Sequence, residues 1–508
     1  MVLRSLAAAT AAVVLLAGCS GGDDKSADTS KDGASQTPGT PSAPALTPYD
    51  PPKAFEATYA YSLPEVKGHS SFKPEVAMVG STAVANSLRG VDGQNVAGPA
   101  KPWQTLATDT TDGSVVINDA SVPVAVQLDG KPAVAVAYYQ RVKGAGTAKP
   151  GVSVLFRWLD PADGKPLSEA TFDVTALLGD NEVNSGLPGG FTNLTFDPAT
   201  GQVAVGVAPT SMIGAKSGVV TVIADPATKK AVGLPFMRPA GLSKGVLVGT
   251  QGKENTRRTV ALVDAATGRI TKSGLLPGLE GLTPTGANGG RYVYLYGQKY
   301  DKSIGYAGDY IGYFYAVDPA TGAVVQTRTA VKKTQYLQNY SCFADGQKTV
   351  VCTADQPGAA EPEIVGFDDT TGKKIWGFTG ASAGRVVPEV TAAFHGVLYA
   401  TAESKPVLVN ALTGQDIPTP TPTVPTGADT GGPTGTPGET PSEDPTPTDG
   451  NTDYSSPSGD SSGAPVAAQP ANKLQSPQSV SEYGGVYLAE PELSDDFSGT
   501  LQILKAVG

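Results

Sequence analysis

Two histidines and three cysteines in 508 residues bound the chemistry this chain can perform. A His-rich metal site is excluded by count, and neither His69, in Val-Lys-Gly-His-Ser-Ser, nor His395, in Phe-His-Gly, sits in a catalytic context. His395 precedes a strand at a turn and reads as structural or exposed. Cys342 and Cys352, in NYSCFADGQKTVVCTAD, flank the turn signal Asp345-Gly346 between β-prone stretches. That spacing places them near each other across one hairpin, where a disulfide is expected outside the cytoplasm. The competing reading, a redox-active or metal-binding pair, lacks CxxC spacing and partner histidines. No GxSxG nucleophile elbow, Walker A loop, HExxH or strand-borne GxGxxG occurs, so no residue is assigned a catalytic, cofactor-binding or metal-binding role. Recurring turns account for the many aspartates, and pairing two of them as glycosidase carboxylates would be arbitrary.

Tyrosine is the one remaining hint of a binding face. Eight of 19 tyrosines lie between Arg291 and Tyr315. Tyr292, Tyr294 and Tyr296 alternate along one strand and are expected to pack against the next blade. Tyr300, Tyr306 and Tyr310 fall in or beside the segment Lys299 to Asp309, and Tyr336 and Tyr340 precede a later strand, so these five are candidates for a polymer- or protein-binding surface on loops.

These residues must be positioned by strands. Before the strands begins a leader: Arg4, then an uncharged small and apolar run to Gly18, too short to span a bilayer. Leu16-Ala17-Gly18-Cys19 resembles the bacterial lipoprotein lipobox. The resemblance implies cleavage before Cys19, acylation of its thiol, and a membrane anchor strong enough to be stable. The alternative is an ordinary secretory signal in which Cys19 is incidental. Residues 1–18 are thus read as a lipoprotein signal peptide. Residues 19–52 are read as a lipidated, disordered tether, since a Ser/Thr/Gly/Pro/Asp-rich stretch with no aromatic before Tyr49 cannot bury enough surface to fold.

The organising pattern is a recurring turn: Asp109-Thr-Thr-Asp-Gly113, Asp160-Pro-Ala-Asp-Gly164, Asp225-Pro-Ala-Thr-Lys229, Asp264-Ala-Ala-Thr-Gly268, Asp318-Pro-Ala-Thr-Gly322, Asp368-Asp-Thr-Thr-Gly372 and Asn410-Ala-Leu-Thr-Gly414. The Asx side chain accepts backbone N–H groups, Pro presets φ, and Gly supplies the left-handed residue that closes the hairpin. A period of about 50 residues with strand signals throughout belongs to four-stranded propeller blades rather than helical solenoids. Asp197-Pro-Ala-Thr-Gly201 precedes a strand instead of ending a blade and is placed inside the third blade. With Ile375 and Trp376, the penultimate turn reads Asp-Asp-Thr-Thr-Gly-Lys-Lys-Ile-Trp. It resembles the pyrroloquinoline-quinone-type propeller repeat, Asp-x-x-Thr-Gly-x-x-x-Trp, complete once and weakened over most of residues 105 to 417.

The expected fold is therefore all-β: a single β-propeller, most simply of eight four-stranded blades, with seven as the alternative if the unit around Trp103 is incomplete. Blades fill 53–417. Residues 418–472 hold nine prolines up to Pro447, seven acidic residues and no Lys or Arg, and are read as a disordered acidic insertion. Residues 473–508 form the closing blade, whose missing strand comes from the N-terminal stretch Phe55 to Tyr61.

A net charge of −11 argues against nucleic-acid partners. The resemblance to the quinone-type repeat implies, at its sharpest, a dehydrogenase that holds quinone and calcium in the ring funnel. This sequence lacks the adjacent cysteine pair and a defensible base, so no cofactor is expected. The leading reading is a lipid-anchored, extracytoplasmic scaffold at the cell membrane, tethered through Cys19 and binding an envelope protein or polymer. Two alternatives stand beside it: a quinone-dependent or other small-molecule enzyme, and an accessory or sensory subunit of a membrane complex.

Overall fold

The protein is described by a computed structural model that covers residues 46–56, 61–67, 76–87, 90–97, 102–107, 113–147, 149–179, 190–209, 218–252, 258–300, 310–330, 339–354, 361–418, 476–488 and 498–508. They form an eight-bladed β-propeller of antiparallel sheets. Blade 1 is β2 (Val76–Val79), β3 (Thr82–Ser87), β4 (Gly90–Asn95) and β5 (Trp103–Leu106). Blade 2 splits its inner edge between β6 (Val115–Ala120) and β7 (Val124–Leu128), which both pair with β8 (Lys131–Val142), followed by β9 (Gly151–Leu159) and β10 (Pro166–Asp173). Blade 3 is β11 (Gly190–Phe196), β12 (Val203–Ala208), β13 (Val220–Asp225) and β14 (Lys230–Leu234).

Blades 4 and 5 share a strand. After β15 (Met237–Ser243), β16 (Val246–Gln251) and β17 (Arg258–Asp264), the long β18 (Ile270–Pro284) pairs first with β17 and then, from Glu280, with β19 (Val293–Tyr300). It is thus the outer strand of blade 4 and the inner strand of blade 5, which continues through β20 (Tyr310–Val317) and β21 (Val324–Arg328). Blade 6 is β22 (Tyr340–Ala344), β23 (Thr349–Ala354), β24 (Glu363–Asp368) and β25 (Lys373–Thr379). Blade 7 is β26 (Glu389–Phe394), β27 (Val397–Ala402), β28 (Lys405–Asn410) and the two-residue β29 (Asp416–Ile417).

Blade 8 takes β30 (Ser479–Ser481), β31 (Gly484–Leu488) and β32 (Ser498–Lys505) from the C-terminal part of the chain and its outer strand β1 (Tyr61–Lys67) from the N-terminal part. The ring is therefore closed by pairing of the two chain regions, with β1 lying just after the stretch expected to supply it. Phe55 contributes an isolated bridge to Ala506.

Position in the blade explains the strand sequences. Second and third strands are covered on both faces by neighbouring blades, so they read as largely apolar runs such as Val203–Ala208 and Val220–Asp225. Fourth strands are half exposed and alternate, as in Pro166–Asp173. The core lies between blades: Ala133, Phe156 and Trp158 of blade 2 pack with Val203, Val205 and Val222 of blade 3. In blade 7 the outer strand stops early for a visible reason. Leu408 pairs with Ile417, so the next outward-facing backbone position of β28 falls two residues earlier, on Pro406, which has no N–H to pair.

The turns behave as their sequence predicts. In the copies starting at Asp160, Asp318 and Asp368, one carboxylate oxygen accepts the N–H two residues on, at 2.8 Å each. Each closing glycine, Gly164, Gly322 or Gly372, has φ near +70° and donates to the carbonyl of the first turn residue. Six of the seven copies join third and fourth strands. The first does not: Asp109–Gly113 lies between β5 and β6 and so connects blade 1 to blade 2, its residues 109–112 falling outside the described set. Blade 1 turns instead at Asn95, whose side chain accepts the Ala97 N–H at 2.7 Å. The copy at Asp197 joins the first and second strands of blade 3, inside that blade as expected.

Residues 46–52, within the stretch read as tether, are among the described residues. Residues 46–56 run as a strap along the ends of blades 7 and 8. Tyr49 N–H donates to Glu482 O at 2.8 Å, Tyr399 hydroxyl to Pro52 O at 2.6 Å, and Glu56 N–H to Lys505 O at 2.9 Å. Phe55 meets the rings of Tyr399 and Tyr487 edge-on. These contacts fix in place a segment whose composition alone reads as linker, with Pro52 buried. Among the described residues no helix is long and apolar enough to cross a membrane.

Candidate functional site: the loop face over blades 5 and 6

Antiparallel blades sort their connections onto two faces. One, the turn face, holds every first-to-second and third-to-fourth strand connection; its longest is 285–292 and many are two residues, such as 244–245 and 395–396. The other, the loop face, holds the second-to-third and blade-to-blade connections. These include 143–150, 209–219, 301–309, 329–339, 355–362, 489–497 and the insertion between Ile417 and Ser479. A few loop-face links are short, among them Glu403-Ser404 and the continuous β18. The chain thus spends its variable length on one side of a rigid ring, the arrangement in which loops carry recognition.

At the loop-face ends of blades 5 and 6 lies a buried polar cluster. Glu363, at the loop-face start of β24, is 0% exposed. Its carboxylate accepts the Ala330 N–H at 2.8 Å and the Tyr340 hydroxyl at 3.1 Å. Ala330 and Tyr340 stand at the two ends of the segment 331–339, so one side chain clamps both the exit and the re-entry of that connection. Beside it, Gln298, also 0% exposed, donates through Nε2 to the Tyr296 hydroxyl at 2.9 Å, and the Tyr296 and Tyr340 rings lie 4.7 Å apart.

Burial raises the Tyr340 phenol well above its ordinary range, and the Glu363 charge raises it further. Burial likewise raises Tyr296, against the bond from Gln298. Both phenols therefore stay protonated near neutrality. They serve as fixed hydrogen-bonding groups rather than as acids or bases.

The candidate tyrosines separate. Tyr300 and Tyr310 end β19 and begin β20 and pair directly across the ladder, with Tyr310 half-buried. Tyr306 and Tyr336 lie outside the described residues. Tyr340 does not belong to a surface: it is 3% exposed and packed against Tyr296 and Phe314. Blade 6 starts at Tyr340 itself, and alternation turns that side chain inward with Cys342. Tyr294 and Tyr296 pack against Phe367 and Tyr340 of the next blade, as their alternation predicts.

Cys342 and Cys352 are directly opposed in the β22–β23 ladder, buried and joined by a disulfide. His395 sits at a turn with φ +41°, stacks on Phe394, and its Nδ1 meets an Asp50 carboxylate oxygen; His69 lies outside the described residues, as does Cys19.

Two tryptophans bond across to the third-to-fourth strand turn of the next blade, although only Trp376 completes the repeat motif. Trp376 Nε1 donates to Ala411 O at 2.8 Å, across to the third-to-fourth strand turn of blade 7. Trp103 Nε1 donates to Pro161 O at 3.0 Å, across to the same turn of blade 2. Each indole lies over two glycines: Cβ atoms on Gly366 and Gly414 would come within 2.4 and 2.6 Å of Trp376, and on Gly93 and Gly164 within 2.0 and 2.3 Å of Trp103. The signal for the second staple was an Asx-to-Trp spacing of eight, Asn95 to Trp103, equal to Asp368 to Trp376. It was hidden because Asn95-Val-Ala-Gly-Pro lacks the Thr-Gly of the repeat.

No family model matches the sequence, and no curated protein matches it. Solved structures align with the chain only loosely. A prolyl endopeptidase aligns at TM-score 0.35 and 12% identity over 71% of this chain and 49% of its own, so the chain spans about half that enzyme's length. The β-propeller domain of the Trilobed protease from Pyrococcus furiosus, described as having an open velcro topology, aligns at TM-score 0.34 and 9% identity over 59% of this chain and 83% of its own. An uncharacterized protein from Listeria monocytogenes EGD-e aligns at TM-score 0.35 and 10% identity over 73% and 99%. At these scores the likenesses carry no argument about activity, and the eight-bladed propeller rests on this chain's own strand pairing.

Proposed function

We propose that this protein is a lipid-anchored, extracytoplasmic propeller of the quinone-type repeat that acts as a non-catalytic binding scaffold at the cell envelope, with the loop face over blades 5 and 6 as its docking surface. The observation that carries the reading is the division between the faces: short, self-bonded turns on one side, and on the other the longer connections. One of these is held at both ends by the buried Glu363. A rigid ring that varies its loops on one face is built to recognise a partner of defined shape. The anchor on Cys19 and the envelope location rest on the lipobox-like segment.

Calorimetric titration with pyrroloquinoline quinone plus calcium tests the non-catalytic part, for which no saturable heat is expected. Micromolar or tighter binding would make the protein a quinone enzyme and move attention to the ring funnel. The docking part is tested by alanine at Tyr300, Tyr306 and Tyr310, which is expected to weaken crosslinking to envelope partners and glycan binding while leaving the fold intact. Unchanged crosslinking and glycan binding would remove those tyrosines from the site.

A further inference from the structure

We infer that the anchored protein presents its turn face to the membrane and its loop face away from it, so that the loop-face partner is met on the side remote from lipid. The inference rests on the proposed acylation of Cys19 and goes beyond it in assigning a direction.

Three observations combine. First, the strap that follows the tether is fixed to the turn face. Tyr49 N–H bonds to Glu482 O in the first-to-second strand turn of blade 8, Asp50 meets His395 in the corresponding turn of blade 7, and Lys53 and Ala54 bond to Gly508 where the third strand of blade 8 has emerged. Leu46 packs against the core between blades 8 and 1. Second, Cys19 and Leu46 are separated only by residues 20–45, and a flexible chain of that length would span roughly 30 Å. To bring the loop face to lipid, it would have to cross the blade outward, about 20 Å for four strands, and then pass its height, about 25 Å for a strand of seven residues. That path exceeds the mean reach, so the inverted orientation needs a stretched tether. Third, the insertion leaves after Ile417 and returns before Ser479, both on the loop face. Seven carboxylates without a Lys or Arg between 418 and 472 are repelled by an anionic headgroup layer, which adds to the same bias.

The test uses the full lipidated chain in phosphatidylcholine vesicles containing a quarter phosphatidylglycerol and an acceptor dye on the headgroups. A donor dye is placed through Lys229→Cys on the turn face or Arg328→Cys at the loop face, both exposed positions. Energy transfer is expected to be at least twofold more efficient from position 229 than from position 328. Lengthening the tether by about 40 Gly/Ser residues should shrink the difference. Equal or reversed transfer, with diacylglycerol found by mass on the Cys19 peptide, would overturn the orientation alone. A Cys19 peptide without lipid, or vesicle binding unchanged by Cys19→Ala, would overturn the anchor and the orientation together.

Discussion

Lys229 occupies the place that glycine holds in five other turns between third and fourth strands, and its φ of +56° is the left-handed conformation a side chain disfavours. Relief of that penalty predicts that Lys229→Gly stabilises the protein by up to about 1 kcal/mol. The reverse change at Gly268, where φ is +70° and the nearest atom to an added Cβ stands at 3.4 Å, predicts a loss of about 1 kcal/mol from backbone strain alone. Chemical denaturation of the two variants checks both signs. The turn aspartates also set part of the acid response. Hydrogen bonds from the Thr370 hydroxyl and backbone hold the Asp368 carboxyl below its ordinary value, so its folded pKa lies under its unfolded one. Its contribution is present above the unfolded pKa and is lost as pH falls through the folded one. Asp368→Asn should therefore lose less stability than the parent between pH 5 and pH 2, read as the change in denaturation midpoint. A buried neighbour opposes this trend: burial raises Asp369, despite the backbone N–H groups of Arg291 and Tyr292 that it accepts. Most of this residue-scale chemistry was legible, because an Asx-turn is a local event written in five consecutive residues.

At the scale of elements, the two tryptophan staples join blade 1 to blade 2 and blade 6 to blade 7 by the same geometry. Trp376→Phe keeps a ring against Gly366 and Gly414 but removes the donor to Ala411 O, and is expected to cost about 1 kcal/mol. Trp376→Ala should cost about 3 kcal/mol, since the packing is lost as well. A loss for the phenylalanine variant as large as for alanine, in urea melts, would show that the hydrogen bond rather than packing holds the blades together. Strand order, the disulfide across β22 and β23, and closure of blade 8 by an N-terminal strand were all readable from turns and alternation. The start of blade 6 was not. Nothing local distinguishes Tyr340 as the first strand residue from Tyr340 as the last loop residue, and only packing against Tyr296 and Phe314 decides it. The Glu363 clamp was equally illegible, because its partners Ala330 and Tyr340 lie 33 and 23 residues away and reach it only once blade 6 and the link from blade 5 are folded.

For the whole molecule, closure depends on a strand and a strap that arrive from the other end of the sequence. Removing residues through Lys67 deletes β1 and the strap together, leaves β32 as an open edge and takes Phe55 away from the rings of Tyr399 and Tyr487. The truncated ring is expected to unfold at lower denaturant and with a shallower slope, whereas a chain beginning at Leu46 should match the full one. A matching curve for the chain lacking residues through Lys67 would mean that blade 8 is stable without its outer strand. Ring architecture followed from the repeat, although the turn at Asp109, counted as a blade turn, proved to be a link between blades, and Asn95 took its place. The division of connections between faces could be drawn only once the strand directions were fixed.

The account's central claim is that recognition belongs to the loop face. Photo-crosslinking residues placed one at a time at Lys299 and Arg328 on the loop face and at Lys229 and Leu412 on the turn face, in cells producing the full chain, test it most directly. The account predicts a discrete crosslinked partner from positions 299 and 328 and none from 229 and 412. The same partner captured equally from the turn face, or from the turn face alone, would contradict it.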